Sequence, residues 1–475
     1  MRNALWAAVL AAACALVSFR STYEPDLWWH LAQGREAAAG HLVRANVFSA
    51  DFAGYRQHYT SWLFDLGGYL LWTRAGPIAI QALQALLLAV TLGLVAASCR
   101  VRASTAAAIS VCAIGWVVLE PRALPRPYLV SFAGMALCAL LIERARTARS
   151  WRPLRWAPLA IAAWANVHVE CVFGVALIGL FGLGEWLRPR DLARRESAKV
   201  MAVAAAGVAA TMLNPYGIGL LRYLYENTFV PQVIDIAELH APYLPNYRGF
   251  FAWAAAGAIL CAWRWRVVSL GDALAIALFA VMGFRYLRLT PLLFLVSAPL
   301  VARCLDDGFR SVRWRRVVAA VSVAAALTIV RVPIVDLARN LRGGGDALEP
   351  PDLFSPAAVQ FARDRGLSGP AFTSINLGGY VEWHLYPSVR PFIDARLQAY
   401  PPEFFRDVRA ASSDPAAWAA LTRNVDWAIL SVPRVNEWSG TGRFDPNDWG
   451  QVYKDQAVEI LVRRGGRYRA LITSF

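Results

Sequence analysis

Residues 156–187 read WAPLAIAAWANVHVECVFGVALIGLFGLGEWL, with an arginine-rich segment on each side. Residues 143–155 carry five arginines, and residues 188–199 carry four arginines and a lysine. Basic clusters of this kind mark the cytoplasmic loops of membrane proteins, so both segments are predicted to be cytoplasmic. The apolar stretch between them must then cross the membrane twice or re-enter. Its polar centre, residues 166–170, predicts two short helices with a break between them.

Apolar runs of similar length follow one another along the first 335 residues, and with this break they predict eleven membrane-spanning helices. The runs are 4–19, 77–98, 104–119, 128–142, 156–167, 169–187, 199–213, 249–264, 268–284, 289–303 and 317–335. For the first run, a signal peptide is the alternative. A third basic segment, 303–316, is also predicted to be cytoplasmic, as is the N-terminus.

Two domains are predicted from this pattern. Residues 1–335 form an α-helical polytopic domain with a first external loop at about 20–76. Within that loop, residues 62–73 are apolar but short and carry Asp65, which favours an interfacial or half-embedded segment. Residues 336–475 contain no apolar run long enough to span a membrane, so they are predicted to form a soluble domain. Eleven spans after a cytoplasmic N-terminus make this domain extracytoplasmic.

The composition excludes several other classes of protein. Of the 475 residues, 57% are hydrophobic and 17% are charged, whereas soluble proteins have about 45–50% and about 25%. Intrinsic disorder and a single soluble enzyme are therefore not expected. The net charge of +15 comes largely from the predicted cytoplasmic loops, so no nucleic-acid partner is predicted. The seven cysteines lack the spacing of a zinc site or a disulfide framework.

The C-terminal domain is predicted to be α/β or α+β. A helix is expected at 356–366, with extended segments near 370–375, 389–394, 425–432 and 456–463. Gly378 and Gly379 indicate a tight turn or a close packing contact. A further set of polar residues has either a structural role, with Asp394 and Arg396 pairing on one strand face, or binds an acceptor: Asn376, Tyr380, Glu382, His384, Asp394 and Arg396.

Residues 23–35, YEPDLWWHLAQGR, predict a helix in the first external loop. Pro25 suits the first turn of a helix, and a carboxylate such as Asp26 is stabilised there. Asp26 and His30 are four residues apart and would share one face. Since Trp28 and Trp29 suit the lipid headgroup region, the helix is expected to lie on the membrane surface.

The predicted topology places an unusual set of polar residues on the external face. Ionisable groups near the membrane are candidates for function by default. An ordinary structural role is the alternative for each one, because external loops contain polar residues and arginines can reach lipid phosphates. The set comprises Glu24, Asp26, His30, Arg122, Arg126, His168, Glu170, Asn214, Glu238, His240, Arg285 and Arg288.

Several of these positions lie in motifs that resemble the GT-C superfamily of integral-membrane glycosyltransferases, and in particular a bacterial branch of it. The resemblance rests on an acidic Glu24-x-Asp26 motif after a first apolar run, about eleven spans and a C-terminal external domain. It also rests on the segments PDLWWH (25–30), WANVH (164–168), NPYG (214–217), GGY (378–380) and FIDAR (392–396). Protein mannosyltransferases, lipid A aminoarabinose transferases and oligosaccharyltransferases share this plan.

The resemblance implies transfer of a sugar from a polyprenyl-phosphate carrier to a glycan, lipid or protein acceptor. It implies that Asp26 acts as a general base on the acceptor hydroxyl, with Glu24 and His30 assisting. Arginine is the best bidentate partner for a departing phosphate. The substrate-binding candidates are Arg126, His168, Glu170, Arg285 and Arg288. Whether a divalent ion, Mg²⁺ or Mn²⁺, takes part stays open, since members of the superfamily differ in this and two acids are a weak metal signal.

One departure from the superfamily leaves other functions open. Where many members have a Tyr pair after the acidic motif, this chain has Trp28-Trp29. A non-catalytic membrane protein, such as a transporter, a lipid-handling protein or an assembly factor of the cell envelope, is therefore the alternative. A transporter is expected to place charged groups near the bilayer midplane, whereas here they gather near the predicted outer face.

Overall fold

The computed structural model describes residues 18, 24–57, 60–229, 237–308, 317–318, 321, 324, 348–350, 352–411, 413–432 and 444–474. Contacts between residues divide the chain into two compact units. Unit 1 comprises Met1–Arg20, Gln81–Leu220 and Asp235–Ala338, and unit 2 comprises Ser21–Ile80, Leu221–Ile234 and Arg339–Phe475. The predicted first external loop is thus grouped with the C-terminal part of the chain. The predicted boundary at 335/336 lies outside the described residues and stays a prediction.

Helices dominate the chain up to residue 308. They are α1 (Asp26–Ala38), α2 (Trp62–Arg100), α3 (Thr105–Leu119), α4 (Tyr128–Ala148), α5 (Ala157–Ala165), α6 (Cys171–Leu187), α7 (Arg194–Ala210), α8 (Gly219–Phe229), α9 (Arg248–Trp263), α10 (Leu270–Arg285) and α11 (Thr290–Gly308).

From α2 to α11, all of these helices except α8 overlap the apolar runs between residues 77 and 303, and the break at 166–170 is confirmed. Helix α8 lies between two of the runs and was not predicted. Among the described residues, four helical stretches are long and apolar enough to cross a membrane: Trp62–Arg100, Thr105–Arg122, Tyr128–Ala148 and Leu287–Gly308. Two shorter apolar helices are α6 and α9. The first and eleventh predicted spans lie largely outside the described residues, so the count of eleven stays a prediction.

Helix α2 joins the predicted interfacial segment 62–73 to the span that follows it. The helix is interrupted at Gly76, whose φ of 62° and ψ of −154° are not helical. Pro77 disfavours a helical conformation in the residue before it, and glycine adopts a positive φ without steric cost. The Gly-Pro pair therefore divides α2 into two helical parts joined by a kink.

The helices of unit 1 approach one another closely at small residues. A Cβ atom added to Gly184 of α6 would lie 2.3 Å from the backbone nitrogen of Gly271 in α10. One added to Gly115 of α3 would lie 1.9 Å from the ring of Phe294 in α11. Small residues at such contacts are typical of helices packed in a membrane, where close backbone approach gives van der Waals contact.

Two of the predicted cytoplasmic segments meet within unit 1. Arg146, at the end of α4, contacts Asp272 at 2.5 Å and Asp191 at 3.3 Å. Asp272 also completes a capping box with Ser269 at the start of α10. Residues 143–155 and 188–199 therefore lie together, as expected for two loops on one side of a membrane.

The C-terminal part of unit 2 is built around a mixed sheet. Its elements are α12 (Pro356–Asp364), β1 (Gly369–Thr373), α13 (Ile375–Leu385), β2 (Val389–Pro391), α14 (Pro402–Ala411), α15 (Pro415–Leu421), β3 (Trp427–Ser431), β4 (Trp449–Lys454) and β5 (Val458–Arg463). The strand order is β2-β1-β3-β5-β4. Strands β2, β1 and β3 are parallel, and β5 is antiparallel to both β3 and β4. The predicted helix and four extended segments are confirmed, whereas β4 was not predicted.

Helix α1 starts at Asp26 after Pro25, as predicted, but the prediction that Trp28 and Trp29 lie in the lipid headgroup region is wrong, because both are buried in protein. Every residue from Leu27 to Gly34 is buried. Trp28 is fully buried, with ring centroids 5.0 Å from Tyr380 and 5.5 Å from Phe354. The helix is covered because α13 packs directly against it, so Trp28 belongs to the hydrophobic core of unit 2 and not to the headgroup region.

Gly378 and Gly379 do not form a tight turn, because both lie within α13. Their alternative role, close packing, is confirmed. A Cβ atom on Gly378 would lie 2.4 Å from the carbonyl oxygen of Ile393, and one on Gly379 would lie 2.9 Å from the backbone nitrogen of Trp29. Gly378 therefore lets α13 approach the segment after β2, and Gly379 lets it approach α1.

Candidate functional site

The two acids of the first motif lie at the start of α1, and they differ in their surroundings. Glu24 is fully buried, and its Oε1 accepts a hydrogen bond from the backbone N–H of Asp26 at 3.0 Å. A carboxylate in this position satisfies one of the unpaired donors at a helix start. Asp26 is half-buried in the first turn. Glu24 therefore shapes the backbone that carries Asp26.

Asp26 and His30 lie four residues apart on α1, as predicted, but His30 is buried and forms a pair with Asp65. Its Nδ1 lies 2.7 Å from Oδ1 of Asp65, and both side chains are almost fully buried. Nδ1 of His30 and the carboxyl group of Asp65 therefore share a hydrogen bond, and this contact fixes the orientation of the imidazole ring.

A second buried cluster lies in the FIDAR segment, residues 392–396. The guanidinium group of Arg396 donates to Asp394 Oδ2 at 2.7 Å and to Glu382 Oε1 at 2.6 Å, and all three side chains are fully buried. The hydroxyl of Tyr400 also donates to Asp394. Asp394 and Arg396 do pair, as predicted, but they follow β2, which ends at Pro391, and do not lie on a strand.

The pKa values of this cluster follow from burial and from the single guanidinium group. Burial raises the pKa of Glu382 well above its usual value, and Arg396 opposes this only in part. Burial acts in the same direction on Asp394, but Arg396 and the hydrogen bonds outweigh it, so the pKa of Asp394 is lowered. Asp394 therefore carries the negative charge that balances Arg396 at neutral pH.

Several buried polar atoms of unit 2 have no hydrogen-bond partner among the described residues. They include Oδ2 of Asp65, Oε2 of Glu382, Nη1 of Arg396 and both amide atoms of Gln33. Buried polar groups usually hydrogen-bond with protein, water or a ligand, so this set marks a polar interior within unit 2. The described residues contain no group of three or more His, Cys, Asp or Glu side chains able to hold a metal ion.

In unit 1, arginines surround one carboxylate. Glu238 Oε1 lies 2.6 Å from Nη1 of Arg122 and 3.0 Å from Nη1 of Arg126. Arg288 adds a third positive charge that acts on the same carboxylate. Burial would raise the pKa of Glu238, but the arginines outweigh it and hold the pKa well below its usual value. Two of the predicted substrate-binding residues, Arg126 and Arg288, are thus brought together, whereas exposed Arg285 stacks on Tyr286 with 5.0 Å to the ring centroid.

The break between α5 and α6 brings together two other predicted residues. His168 Nδ1 lies 2.8 Å from the hydroxyl of Ser131 and 3.6 Å from Glu170 Oε2. The indole N–H of Trp164 donates to the same hydroxyl at 2.9 Å. Asn166 donates to the backbone carbonyl of Leu213 at 2.8 Å. The WANVH segment is therefore joined to the residues just before the NPYG segment.

Sequence reasoning did not assign Asp65 a role in the site. Its partner His30 is 35 residues away, so no local pattern shows the pair. The available signal was a single carboxylate within an apolar segment, which is by default a candidate for function. Asn214 and His240 were predicted external residues, and the structure gives Asn214 a local role. Its side chain accepts from the backbone N–H of Tyr216 at 2.8 Å and donates to Thr211.

Two solved structures share the fold of this chain. The oligosaccharyltransferase AglB of Archaeoglobus fulgidus, in complex with an inhibitory peptide and a dolichol-phosphate, is 12% identical, with a TM-score of 0.62 over 90% of this chain and 70% of that one. ArnT of Cupriavidus metallidurans, bound to undecaprenyl phosphate, is 12% identical, with a TM-score of 0.58 over 97% of each chain. No protein-family model and no curated protein matches the sequence.

These likenesses confirm the GT-C resemblance in fold. Both neighbours are GT-C glycosyltransferases. The chain is a multi-pass membrane protein with apolar helices and a C-terminal sheet, as the sequence predicts.

Proposed function

We propose that this chain is a membrane glycosyltransferase that moves a sugar from a polyprenyl-phosphate-linked donor to an acceptor. The observation that carries the proposal is the cluster of Arg122, Arg126 and Arg288 in unit 1, in a chain that shares its fold with a structure bound to undecaprenyl phosphate. Guanidinium groups bind phosphate with two parallel hydrogen bonds and stay charged at any working pH.

The arginines would act mainly on the leaving group. As the bond between the sugar and the phosphate breaks, negative charge grows on the departing phosphate oxygen. Cations already in place stabilise this charge more in the transition state than in the ground state, which is the condition for faster chemistry. Arg122 is almost fully buried over the ring of Tyr128, at 4.5 Å from the ring centroid, so its guanidinium group is held in position.

The acceptor hydroxyl requires a base within hydrogen-bond reach. In this proposal Asp26 is that base, and Glu24 acts through its hydrogen bond to the backbone of Asp26. His30, oriented by Asp65, receives or returns a proton in the same reaction. His168 and Glu170 contribute polar contacts to the substrate. These roles are supported by the chemistry of the side chains and by the resemblance in fold.

The proposal extends to the location of the reaction. Eleven spans, a cytoplasmic N-terminus and an extracytoplasmic unit 2 would place Glu24, Asp26 and His30 at the outer face of the cell membrane. The meeting of segments 143–155 and 188–199 within unit 1 supports a common cytoplasmic side for both. The acceptor is then a glycan, lipid or protein of the bacterial cell envelope.

The test is transfer or hydrolysis of radiolabelled polyprenyl-phosphate sugars by purified, reconstituted protein. Asp26→Asn, which keeps the side-chain shape, should abolish release of polyprenyl phosphate while the protein stays monodisperse. Asp414→Asn is a matched control, because that aspartate caps α15 and should not affect turnover. Parallel reactions with Mg²⁺, Mn²⁺ or a chelator decide whether a metal takes part.

Each outcome of this experiment selects a function. Asp26-dependent release of polyprenyl phosphate would support the transferase. Donor binding without turnover by any donor and acceptor tried would favour the lipid-handling alternative. Equal turnover by wild type and Asp26→Asn would remove Asp26 from the chemistry, and failure to bind any lipid phosphate would contradict the proposed function.

A further inference from the structure

The carboxylate of Glu238 occupies the arginine cluster that the proposed function assigns to phosphate. One oxygen, Oε1, receives hydrogen bonds from both Arg122 and Arg126. Carboxylate and phosphate oxygens are recognised by guanidinium groups with the same geometry. A phosphate that used these N–H groups would therefore have to displace Glu238.

Glu238 is the most exposed member of its ion pairs with Arg122 and Arg126. The side chain of Glu238 is 30% exposed, whereas those of Arg122 and Arg126 are 4% and 16% exposed. Glu238 lies on a single helical turn, Ala237–Leu239. The residue after this turn, His240, accepts a hydrogen bond at its backbone carbonyl from Leu287 N–H at 2.7 Å. The carboxylate can thus leave the arginines by side-chain rotation while the arginines stay in place.

The charges also favour an exchange over a permanent ion pair. Three arginines, Arg122, Arg126 and Arg288, act on the carboxylate of Glu238. The donor phosphate is a diester with one negative charge. The product, polyprenyl phosphate, is a monoester with a charge of about −1.5 to −2 at neutral pH. Without a competitor the cluster would bind the product more tightly than the donor and release it slowly.

We propose that Glu238 is a specificity-determining residue that competes with phosphate for Arg122 and Arg126, yields to the donor and returns to expel the product. This inference rests on the proposed function. It predicts that removing the carboxylate tightens the binding of polyprenyl phosphate. It also predicts a lower kcat together with a lower KM, because product release becomes slower while the donor meets less competition.

The first experiment measures the binding of undecaprenyl phosphate to reconstituted wild type and Glu238→Gln. The variant keeps the side-chain shape and removes the charge. It should bind about tenfold more tightly, the effect expected from losing one charge-assisted competitor. The matched control is Glu196→Gln, whose carboxylate pairs with Lys199 at 2.7 Å on α7; it should bind as wild type does. Inorganic phosphate should bind more weakly than the lipid, because it lacks the apolar chain.

Unchanged or weaker binding by Glu238→Gln would overturn the proposal, and so would equal tightening by Glu196→Gln. Equal affinities for inorganic and lipid phosphate would overturn the assignment to a lipid carrier. If wild type binds no lipid phosphate at all, the proposed function itself fails. If wild type binds and turns over but Glu238→Gln shows no gain in affinity, only the role of Glu238 fails.

A second measurement uses the wild-type protein, so it does not depend on whether the variant folds. Hydrogen exchange of peptides covering residues 237–240 should increase when undecaprenyl phosphate binds, because the carboxylate leaves the arginines that hold this turn. Unchanged or slower exchange under saturating lipid would contradict the displacement of Glu238.

Discussion

Replacing Arg396 by methionine should destabilise unit 2, because it leaves a buried carboxylate without its counter-charge. Arg396 is fully buried between Asp394 and Glu382 and contacts both at hydrogen-bond distance. Its guanidinium group also lies over the ring of Phe48, 4.8 Å from the centroid. Removing one partner of a buried ion pair typically costs about 3–5 kcal/mol.

The two carboxylates contribute unequally to this cost. Burial raises the pKa of Glu382, so this group tends to stay protonated and neutral. The pKa of Asp394 is lowered, in spite of its burial, largely by Arg396, so Asp394 carries the charge that loses its partner. With one uncompensated charge instead of two, the expected cost lies near the lower end of the range, at about 3 kcal/mol.

The double variant Arg396→Met/Asp394→Asn tests this assignment, because it removes the uncompensated charge as well. It should be less destabilised than Arg396→Met although it carries one more substitution. Apparent melting temperatures are compared by tryptophan fluorescence at one scan rate, since unfolding of large proteins is commonly irreversible. Arg390→Met on β2, whose side chain is half-buried, is the control and should change little. If the double variant melts at or below the single variant, or the control loses as much, the reasoning is refuted.

Three further predictions concern unit 2. Asp65→Asn should lower turnover about 10- to 150-fold, which corresponds to the free energy of a hydrogen bond to a charged group. The melting temperature should change little. Turnover equal to that of wild type would exclude a role for the His30–Asp65 pair in the chemistry. Gly34→Ala should lower the melting temperature by several degrees, corresponding to about 1–3 kcal/mol, because its Cβ would lie 2.1 Å from the carbonyl oxygen of Asp65. Gly68→Ala meets its nearest atom at 3.9 Å and should be neutral; similar melting of the two variants would contradict the packing argument. Burial and two nearby arginines lower the pKa of His384 to about 4, so the folded protein favours the neutral imidazole. A histidine in the unfolded chain titrates near 6.5. The free energy of unfolding of wild type should therefore fall by up to about 3 kcal/mol as the pH falls from about 6.5 to about 4. His384→Gln should lose less in melting scans at pH 7 and pH 5, and equal losses would show that this histidine is not the cause.

Local patterns predicted the helices well because each helix is specified within a short segment. The polar residues 166–170 interrupt an apolar stretch, and α5 and α6 end and begin beside them. Pro25 predicts the start of α1 for a reason that involves only its own backbone. These features depend on neighbours in sequence, so a single sequence contains the information.

The surroundings of α1 could not be predicted in the same way. A tryptophan fits a headgroup region and a protein core equally well, and only the partner decides between them. The partners of Trp28 include Phe354 and Tyr380, more than 300 residues further along the chain. Glu382 was likewise not predicted as the second partner of Arg396, because the two residues are 14 positions apart and no local pattern links them. Asp394, two residues from Arg396, was predicted.

The five segments that carry the GT-C resemblance fall into two groups in the structure. PDLWWH, GGY and FIDAR meet in unit 2, where the two glycines of the second touch Trp29 of the first and Ile393 of the third. WANVH and the start of NPYG meet in unit 1 through Asn166 and Leu213. Much of each motif is therefore explained by packing alone.

Packing does not explain every residue in these motifs equally. Within PDLWWH, the four residues from Leu27 to His30 are buried, whereas Asp26 is half-buried beside a carboxylate that holds the helix start. Asp26 is thus the polar side chain of this motif that core packing explains least, because it is only half-buried while its four successors are buried, which is the physical reason to test it before His30.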